Sequence, residues 1–384
     1  MKTISLLLAL IAGLFASCAT HGEVAAHELP LPRRPIGVFD SGVGGLSVLE
    51  RLLTLDAFDN RTGAAKPDGR PDFEDEDFVY FGDQANMPYG RYDAAGKADF
   101  LRELVVRDAQ FVLGSEGHAP SKIVVIACNT ATAYGLERVK AMPRPHDEDV
   151  IGVVNAGAAA ALDELKDEKS PYAIGVMATP ATISSGVYER TLRAGLAARG
   201  VNVPVEIANR GGIGLADAVE NAEPGRDLCA RTNFVALVEE YRARGGTAPL
   251  KAIVLGCTHY PFVLHVFRQT LAELKAKPEY ASLIADDLKF IDPAVNTAAQ
   301  CYRSLRSAGL LKPAAKRPAA AKRVNVFISV GKDGPLSDAV KYGRDCGCRD
   351  LGTKIVPLAE GNLGQGVLDS IRRIFPACAR ELGL

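Results

Sequence analysis

The stretch Ile123-Val-Val-Ile-Ala-Cys128-Asn129-Thr130 joins a short run of apolar residues to a thiol, an amide and a hydroxyl. A run of this length is too short for a helix of its own and is typical of a buried strand in a parallel sheet. Open α/β sheets bind ligands beyond the carboxyl ends of their strands. We therefore expect Cys128, Asn129 and Thr130 to lie at a ligand site.

A second stretch with the same order of residue types follows later in the chain: Ala252-Ile-Val-Leu-Gly256-Cys257-Thr258-His259-Tyr260-Pro261. Again an apolar strand places a cysteine at its end, and a hydroxyl follows the cysteine. Two thiols at matched strand ends predict two halves of the molecule that face each other across one cleft. This arrangement suits the transfer of a proton from one face of a carbon atom to the other.

The composition limits the classes of protein that fit. The chain has 384 residues, 47% of them apolar, which is enough for two domains with cores of their own. The net charge is −1, so a nucleic-acid partner is not expected. Eight cysteines are too few for a disulfide scaffold in a chain of this length.

Residues 1–18 differ from the rest of the chain. One lysine precedes an apolar run over residues 4–15, which is too short to span a bilayer, and two small residues precede Cys18. This order resembles a bacterial lipoprotein signal and predicts export to the periplasm, a lipid anchor on Cys18, and a tether over residues 19–34. The alternatives are an ordinary secretory signal, or a misassigned start ahead of a cytoplasmic enzyme.

From residue 35 onward, predicted strands and helices alternate, which indicates a parallel α/β architecture. We expect two pseudo-symmetric, doubly wound parallel-sheet domains with the active site in the cleft between them. The first domain is predicted to be discontinuous, over residues 35–149 and about 287–358. The second is predicted over residues 150–286. Residues 56–77 are predicted to form a surface insertion, and residues 312–323 a linker.

A glycine-rich loop follows the first predicted strand. Asp40-Ser41-Gly42-Val43-Gly44-Gly45 lies between the strand and a helix with leucines at helical spacing. Such a loop lets the backbone approach a ligand closely, and the helix N-terminus offers free N–H groups to an anion. The loop lacks the dinucleotide-binding fingerprint and the P-loop lysine. A carboxylate ligand fits it as well as a phosphate does.

Taken together, the motifs resemble those of bacterial glutamate racemase and occur in the order of that family. The resemblance implies a cofactor-independent isomerase of two pseudo-symmetric α/β domains that interconverts L- and D-glutamate for peptidoglycan synthesis. The motifs that carry it are Ile36-Gly-Val-Phe-Asp40-Ser41-Gly-Val-Gly-Gly, Pro88-Tyr89-Gly90, Ala127-Cys128-Asn129-Thr130-Ala131-Thr132, Ala178-Thr-Pro-Ala-Thr182 and Gly256-Cys257-Thr258-His259-Tyr260-Pro261.

The resemblance also implies roles for individual residues. Cys128 and Cys257 match the two catalytic thiols, and Asp40 and His259 match the groups that assist them. The family has a further assisting glutamate after a Cys-Pro segment that this chain lacks, and Glu220 is the best match for it. The implied substrate contacts are Asp40, Ser41, Tyr89, Gly90, Asn129, Thr130, Thr182, Thr258 and His259.

The chemistry of racemisation agrees with two thiols. The α-proton of an amino acid is very weakly acidic, so one face of the carbon needs a strong base and the other an acid. Both roles are required in both directions, and two like residues are the simplest pair. A free cysteine has a pKa of roughly 8.5 and needs help to ionise. We expect no cofactor and no metal, a small-molecule substrate, and a homodimer as the assembly.

Other readings stay open at this point. A related enzyme, such as an aspartate or other amino-acid racemase, a maleate isomerase or a decarboxylase, shares the two-domain cleft. Asp40-Ser41 together with His259 favours glutamate. An exported two-lobed binding protein is a third class, although it has no need of two thiols at strand ends. Cys229, Cys301 and Cys378 lack polar neighbours of this kind and are predicted to be structural.

Overall fold

The computed structural model describes residues 29–116, 118–142, 149–314, 322–359 and 361–384. The predicted signal segment and the lipid anchor on Cys18 lie outside the described residues, as does most of the linker over 312–323. Export and lipidation therefore stay predictions. None of the helices in the described part of the chain is both long and apolar enough to span a bilayer.

The first lobe is built on a six-stranded sheet with the order β10-β9-β2-β1-β3-β4. Its neighbouring strands run parallel, except for the antiparallel pair of β9 and β10 at one edge. The strands are β1 (Ile36–Asp40), β2 (Phe78–Gly82), β3 (Ile123–Ile126), β4 (Val150–Gly152), β9 (Val324–Gly331) and β10 (Thr353–Pro357).

The second lobe is built on a four-stranded, all-parallel sheet with the order β6-β5-β7-β8. Its strands are β5 (Tyr172–Ala178), β6 (Val205–Gly211), β7 (Leu250–Gly256) and β8 (Ile284–Ile291). β5 is fully buried and β7 nearly so, and apart from Lys251 both are apolar because the central strands of a parallel sheet are covered on both faces.

Helices make the crossovers that parallel strands require. They are α1 (Leu46–Thr54), α2 (Ala98–Val112), α3 (Asn129–Lys140), α4 (Val153–Glu164), α5 (Pro180–Ser184), α6 (Val187–Ala198), α7 (Leu215–Glu220), α8 (Arg226–Ala243), α9 (Leu264–Lys275), α10 (Pro278–Ala281), α11 (Pro293–Ser307), α12 (Asp338–Gly343), α13 (Gln365–Ile374) and α14 (Pro376–Leu382). The sheets and helices confirm the predicted α/β class.

The sheet membership of two strands differs from the predicted domain bounds. β4 begins at Val150, where the second domain was predicted to begin, but it pairs with β3 in the first sheet. β8 extends past residue 287 and pairs with β7 in the second sheet. Apolar runs show where strands lie along the chain but do not show which sheet each strand joins.

The insertion over residues 56–77 is more than a surface addition. Phe58 stacks on Tyr302 of α11 with ring centroids 4.4 Å apart, and Phe73 meets the same ring edge-on at 5.8 Å. The carboxylate of Asp72 accepts the backbone N–H groups of Ala57 and Phe58. The two ends of the insertion therefore belong to the core of the first lobe, although its middle is exposed.

The C-terminal helices dock on the helix that follows the glycine loop. Glu50 of α1 accepts the backbone N–H groups of Ala377 (3.1 Å) and Cys378 (2.8 Å) at the start of α14. A carboxylate at this position accepts hydrogen bonds from the free amides and interacts favourably with the positive end of the helix dipole. Phe375 packs edge-on against Phe262 at 4.9 Å, close to the strand end that carries Cys257. Cys378 and Cys301 are fully buried in the core, as predicted for structural cysteines.

Candidate active site

A small cavity of about 20 Å³ lies between the two lobes. The segments that follow β1, β2 and β3 line it from one side, and those that follow β5, β6 and β7 line it from the other. Both predicted thiols therefore border the same space. The lining residues are Ser41, Met87, Pro88, Tyr89, Gly90, Cys128, Asn129, Thr130, Thr179, Ala216, Cys257, Thr258 and His259.

Cys128 lies at the N-cap of α3, immediately beyond β3. Its sulfur accepts the backbone N–H of Ala131 at 3.3 Å and lies 3.6 Å from the hydroxyl of Ser41. Burial raises the pKa of the Cys128 thiol, and the nearby carboxylate of Asp40 raises it further. The amide of Ala131 and the hydroxyl of Ser41 act in the opposite direction but do not offset these effects. Cys128 is therefore a protonated thiol at neutral pH.

Cys257 has a different partner. Its sulfur lies 3.5 Å from Nδ1 of His259, and Nε2 of the same ring lies 2.5 Å from Oε2 of Glu220. Burial alone lowers the pKa of His259, but attraction to Glu220 and the bond to Cys257 outweigh burial and raise it well above its usual value. The imidazolium can thus donate through both nitrogens, to the carboxylate on one side and to the sulfur on the other.

The route by which His259 reaches Cys257 is not an extended strand. β7 ends at Gly256, and His259 has helical backbone angles with φ −80° and ψ −22°. The chain turns at the strand end and brings the ring back over the sulfur. This turn, and not alternation along a strand, therefore brings the two side chains together.

The glycine loop holds carboxylates of the protein itself. Oδ2 of Asp40 accepts the backbone N–H groups of Gly42 (3.2 Å) and Gly45 (3.0 Å). Oε1 of Glu220 accepts the N–H of Val43 at 3.1 Å from the other lobe. The amides that we expected to hold an anionic ligand are thus used by Asp40 and Glu220. Burial raises the pKa of Asp40 to about 6, with His259 and Glu220 acting on it in opposite directions.

Glycine is required in this loop because the opposite lobe lies against it. A methyl group on Gly44 would lie 2.7 Å from Cε1 of His259 and 2.7 Å from the hydroxyl of Thr258. A methyl group on Gly42 would lie 2.6 Å from Oε1 of Glu220. The loop and the His259–Glu220 pair therefore pack backbone to side chain, with no room for a Cβ atom.

Three threonine hydroxyls form a cluster beside Cys128. Thr130 lies 2.9 Å from Thr179 and 3.1 Å from Thr182, and Thr179 lies 2.9 Å from Thr182. Thr179 is the N-cap of α5 and lines the cavity, whereas the motif predicts Thr182 as the substrate contact. Thr182 is fully buried behind it. Only its position in the motif Ala178-Thr-Pro could have marked Thr179.

The side chains of Asn129 and Tyr89 are occupied within the protein. Oδ1 of Asn129 accepts the hydroxyl of Tyr188 at 2.6 Å, which leaves its amide N–H groups for the cavity. The hydroxyl of Tyr89 lies 2.6 Å from Asp83 and 2.6 Å from Asp108. A phenol has one proton, so it cannot donate to both carboxylates. Burial raises the pKa of Asp108 well above its usual value, and the protonated Asp108 donates to Tyr89 while Tyr89 donates to Asp83.

Comparison with known proteins agrees with this geometry. Residues 76–301, more than half of the chain, match the model of the Asp/Glu/Hydantoin racemase family. The chain belongs to this racemase family. It is thus an enzyme of the isomerase class, and the alternative of an exported binding protein is set aside.

Curated members of the racemase family are similar over most of their length. The glutamate racemase of Limosilactobacillus fermentum is 32% identical over 275 residues, which cover 70% of this chain and 80% of that protein. The glutamate racemase of Geobacter metallireducens is 30% identical over 290 residues, 75% of this chain and 86% of that protein.

Solved racemase structures share the fold. A glutamate racemase of Bacillus anthracis superposes with a TM-score of 0.56 over 84% of this chain and 100% of that one, at 24% identity. A glutamate racemase of Francisella tularensis in complex with D-glutamate superposes with a TM-score of 0.53 at 25% identity, over 82% of this chain and 95% of that one.

A methyl group in the glycine loop tests the contact with His259. Gly44→Ala is expected to lower kcat by roughly 10-fold or more, because His259 and Thr258 must move away from Cys257. Gly225→Ala is the matched control, since Gly225 has φ −87° and open space around it. Initial rates of amino-acid racemisation by the two purified variants provide the measurement. Equal rates for Gly44→Ala and wild type contradict the packing described here.

The raised pKa of Asp40 predicts a stability that depends on pH. The buried carboxylate costs stability, and the cost grows as pH rises from the unfolded pKa of 3.8 to the folded value of about 6. Asp40→Asn removes the charge and is expected to stabilise the protein by about 2–3 kcal/mol at pH 8. The gain should shrink towards pH 5. Urea unfolding of the variant and the wild type at pH 5 and pH 8 measures this gain in stability. A variant less stable than wild type at pH 8 contradicts the raised pKa of Asp40.

Proposed function

We propose that the chain interconverts L- and D-glutamate without a cofactor, by proton transfer between Cys128 and Cys257. The observation that carries the proposal is that both sulfurs border one small cavity while each has its own acid–base partner. The curated relatives named above are glutamate racemases, and one similar structure is a complex with D-glutamate. These findings support glutamate as the substrate.

The side chains around the cavity suit an amino acid with two carboxylates. Hydroxyls of Ser41, Thr130 and Thr258 and the amide of Asn129 border the space and can donate to carboxylate oxygens. Gly90 presents backbone at the same wall, and its Cβ position is filled by Thr179 at 2.8 Å. Such donors bind a carboxylate without placing a further charged side chain beside the thiols.

The two thiols have different partners, which sets the order of the proton transfers in the proposed mechanism. The imidazolium of His259, held by Glu220, stabilises negative charge on Cys257. Cys128 holds its proton because burial and Asp40 disfavour its thiolate. In one direction the Cys257 thiolate takes the α-proton from one face, and the Cys128 thiol gives its proton to the opposite face. One C–H bond breaks and one forms, and the carbon is inverted.

The reverse direction starts from the opposite protonation states. Cys128 must then be the base. The carboxylate of Asp40 is the charged group that acts most strongly on the pKa of its thiol. With a pKa of about 6, Asp40 can accept the proton of Cys128 and return it near neutral pH. The Cys257 thiol and the His259 imidazolium supply the proton on the other face. Each thiol therefore has a group that resets it after turnover.

Aspartate is the second candidate substrate, because the matching family model covers aspartate as well as glutamate racemases. Rates with L-aspartate and L-glutamate under the same conditions separate the two. A role in supplying D-glutamate for peptidoglycan follows from the proposed reaction, and rescue of a bacterial strain that requires D-glutamate tests it. Assembly as a homodimer stays a prediction, which the mass of the protein in solution tests.

Replacing either thiol tests the two-base assignment. Cys128→Ser and Cys257→Ser are each expected to lower racemisation of both enantiomers by roughly 1,000-fold or more, because every turnover needs a base and an acid. Each variant should still exchange the α-proton of one enantiomer, and the two variants should prefer opposite enantiomers. Polarimetry measures racemisation, and NMR in deuterated water measures exchange.

Cys229→Ser is the matched control for these variants, since Cys229 is half-buried and lies outside the cavity. It is expected to keep the rate of the wild type. Racemisation at the wild-type rate by Cys128→Ser or Cys257→Ser rules out the mechanism.

A further inference from the structure

The connection between β9 and β10, residues 332–352, lies over the turn that lines the cavity after β2. β9 pairs in parallel with β2 in a register that sets Phe327 beside Phe81 and Ile328 beside Gly82. The carboxyl ends of the two strands therefore lie side by side. The chain that leaves β9 is placed directly against Asp83–Gly90, which we name the substrate turn.

Ser329 makes the first contact between β9 and the substrate turn. Its hydroxyl donates to Oδ1 of Asp83 at 2.6 Å and accepts the backbone N–H of Ala85 at 2.9 Å. Asp83 in turn accepts the side-chain amide of Asn86 and the hydroxyl of Tyr89. Asp83 is thus a central acceptor that holds both ends of the turn.

Two cations from the β9–β10 connection hold the turn from the outside. The ammonium of Lys341 donates to the backbone carbonyl of Met87 at 2.7 Å. The guanidinium of Arg344 donates to Oδ1 of Asn86 at 2.5 Å and to the carbonyl of Leu351 at 2.8 Å. Met87 lines the cavity, and Asn86 is fully buried beneath it.

The same connection reaches the rim of the cleft. Asp338 pairs with Arg91 at 3.2 Å, and Arg91 also pairs with Asp217 of α7, the helix that carries Glu220. Tyr342 packs edge-on against Tyr92 with ring centroids 4.8 Å apart. The connection therefore contacts the middle of the substrate turn and the residues just after it, and through Arg91 it is linked to the opposite lobe.

We propose that Lys341 and Arg344 are positioning residues for substrate binding, which fix the substrate turn through the Met87 carbonyl and the Asn86 side chain. They lie beyond residues 76–301, which the family model matches. The thiols are held by β3, α3 and β7 and not by this connection. Losing Lys341 should therefore loosen the wall that contacts substrate and leave the proton transfers intact. The kinetic part of this inference rests on the proposed glutamate racemisation.

The kinetic test replaces Lys341 by methionine, which keeps the length of the side chain and removes its charge and donors. Lys341→Met is expected to raise KM roughly 10-fold for both enantiomers and to change kcat less than about two-fold, because the charge-assisted hydrogen bond that holds the Met87 carbonyl is lost and the loosened turn must be ordered when substrate binds. L- and D-glutamate have equal free energies, so kcat/KM must fall by the same factor in both directions.

Two variants accompany this test. Lys341→Arg keeps a cationic donor and should bring KM back to within about three-fold of wild type. Lys332→Met is the matched control, since Lys332 lies in the same connection and pairs with Asp350 outside the turn. It should keep the wild-type KM. A purely structural role for Lys341 lowers the melting temperature but leaves KM unchanged, and that result overturns the inference.

A second readout does not need the substrate. Hydrogen–deuterium exchange followed by mass spectrometry reports the opening of peptides that span residues 83–92 in the free protein. Lys341→Met should speed exchange in this segment, while Lys332→Met should not, and unchanged exchange overturns the inference. If the wild-type protein does not racemise glutamate, the proposed function fails, and the exchange experiment still decides the role of Lys341.

Discussion

The hydrogen bond between Glu220 and His259 is the contact on which the site depends. Oε2 of Glu220 holds Nε2 of His259 at 2.5 Å, while Oε1 accepts the amide of Val43 from the glycine loop of the other lobe. One carboxylate therefore keeps the imidazole charged, aims its other nitrogen at Cys257 and links the two lobes. Such a bond between buried charged groups is stronger than one between neutral groups, and breaking it leaves a buried charge without a partner.

The two thiols of the site have different neighbouring groups. Cys257 has a cation beside it, whereas Cys128 has the carboxylate of Asp40 and the amide at the start of α3. A site with two identical environments would hold both thiols in the same protonation state. In the proposed mechanism this asymmetry lets one sulfur act as the base while the other acts as the acid.

The sequence predicted the parts of the site that depend on local pattern. Cys128 and Cys257 end apolar strands, and parallel sheets gather strand ends at one edge, so their convergence on one cavity could be inferred. The sequence located the loop over Gly42–Gly45 correctly but did not predict which groups its amides bind. Whether its amides bind a ligand or hold Asp40 and Glu220 depends on the packing of the two lobes, which no local pattern encodes.

Contacts between distant residues account for the rest of what was not predicted. Thr179, the N-cap of α5, lines the cavity, whereas the predicted contact Thr182 is buried behind it. The support of the substrate turn by Lys341 and Arg344 joins residues about 250 positions apart. The docking of α14 on Glu50 is of the same kind. Charged residues on short helices are usually solvated, so their sequence alone predicts no such contact.

The central claim is that two different groups act on opposite faces of one carbon. The most direct measurement is racemisation of L-glutamate by the wild-type protein in deuterated water, with both enantiomers analysed by mass spectrometry early in the reaction. A two-thiol mechanism predicts that the D-glutamate formed carries deuterium at Cα while the remaining L-glutamate keeps protium. D-glutamate that retains the original protium would show a single group returning the same proton, and it would contradict the account.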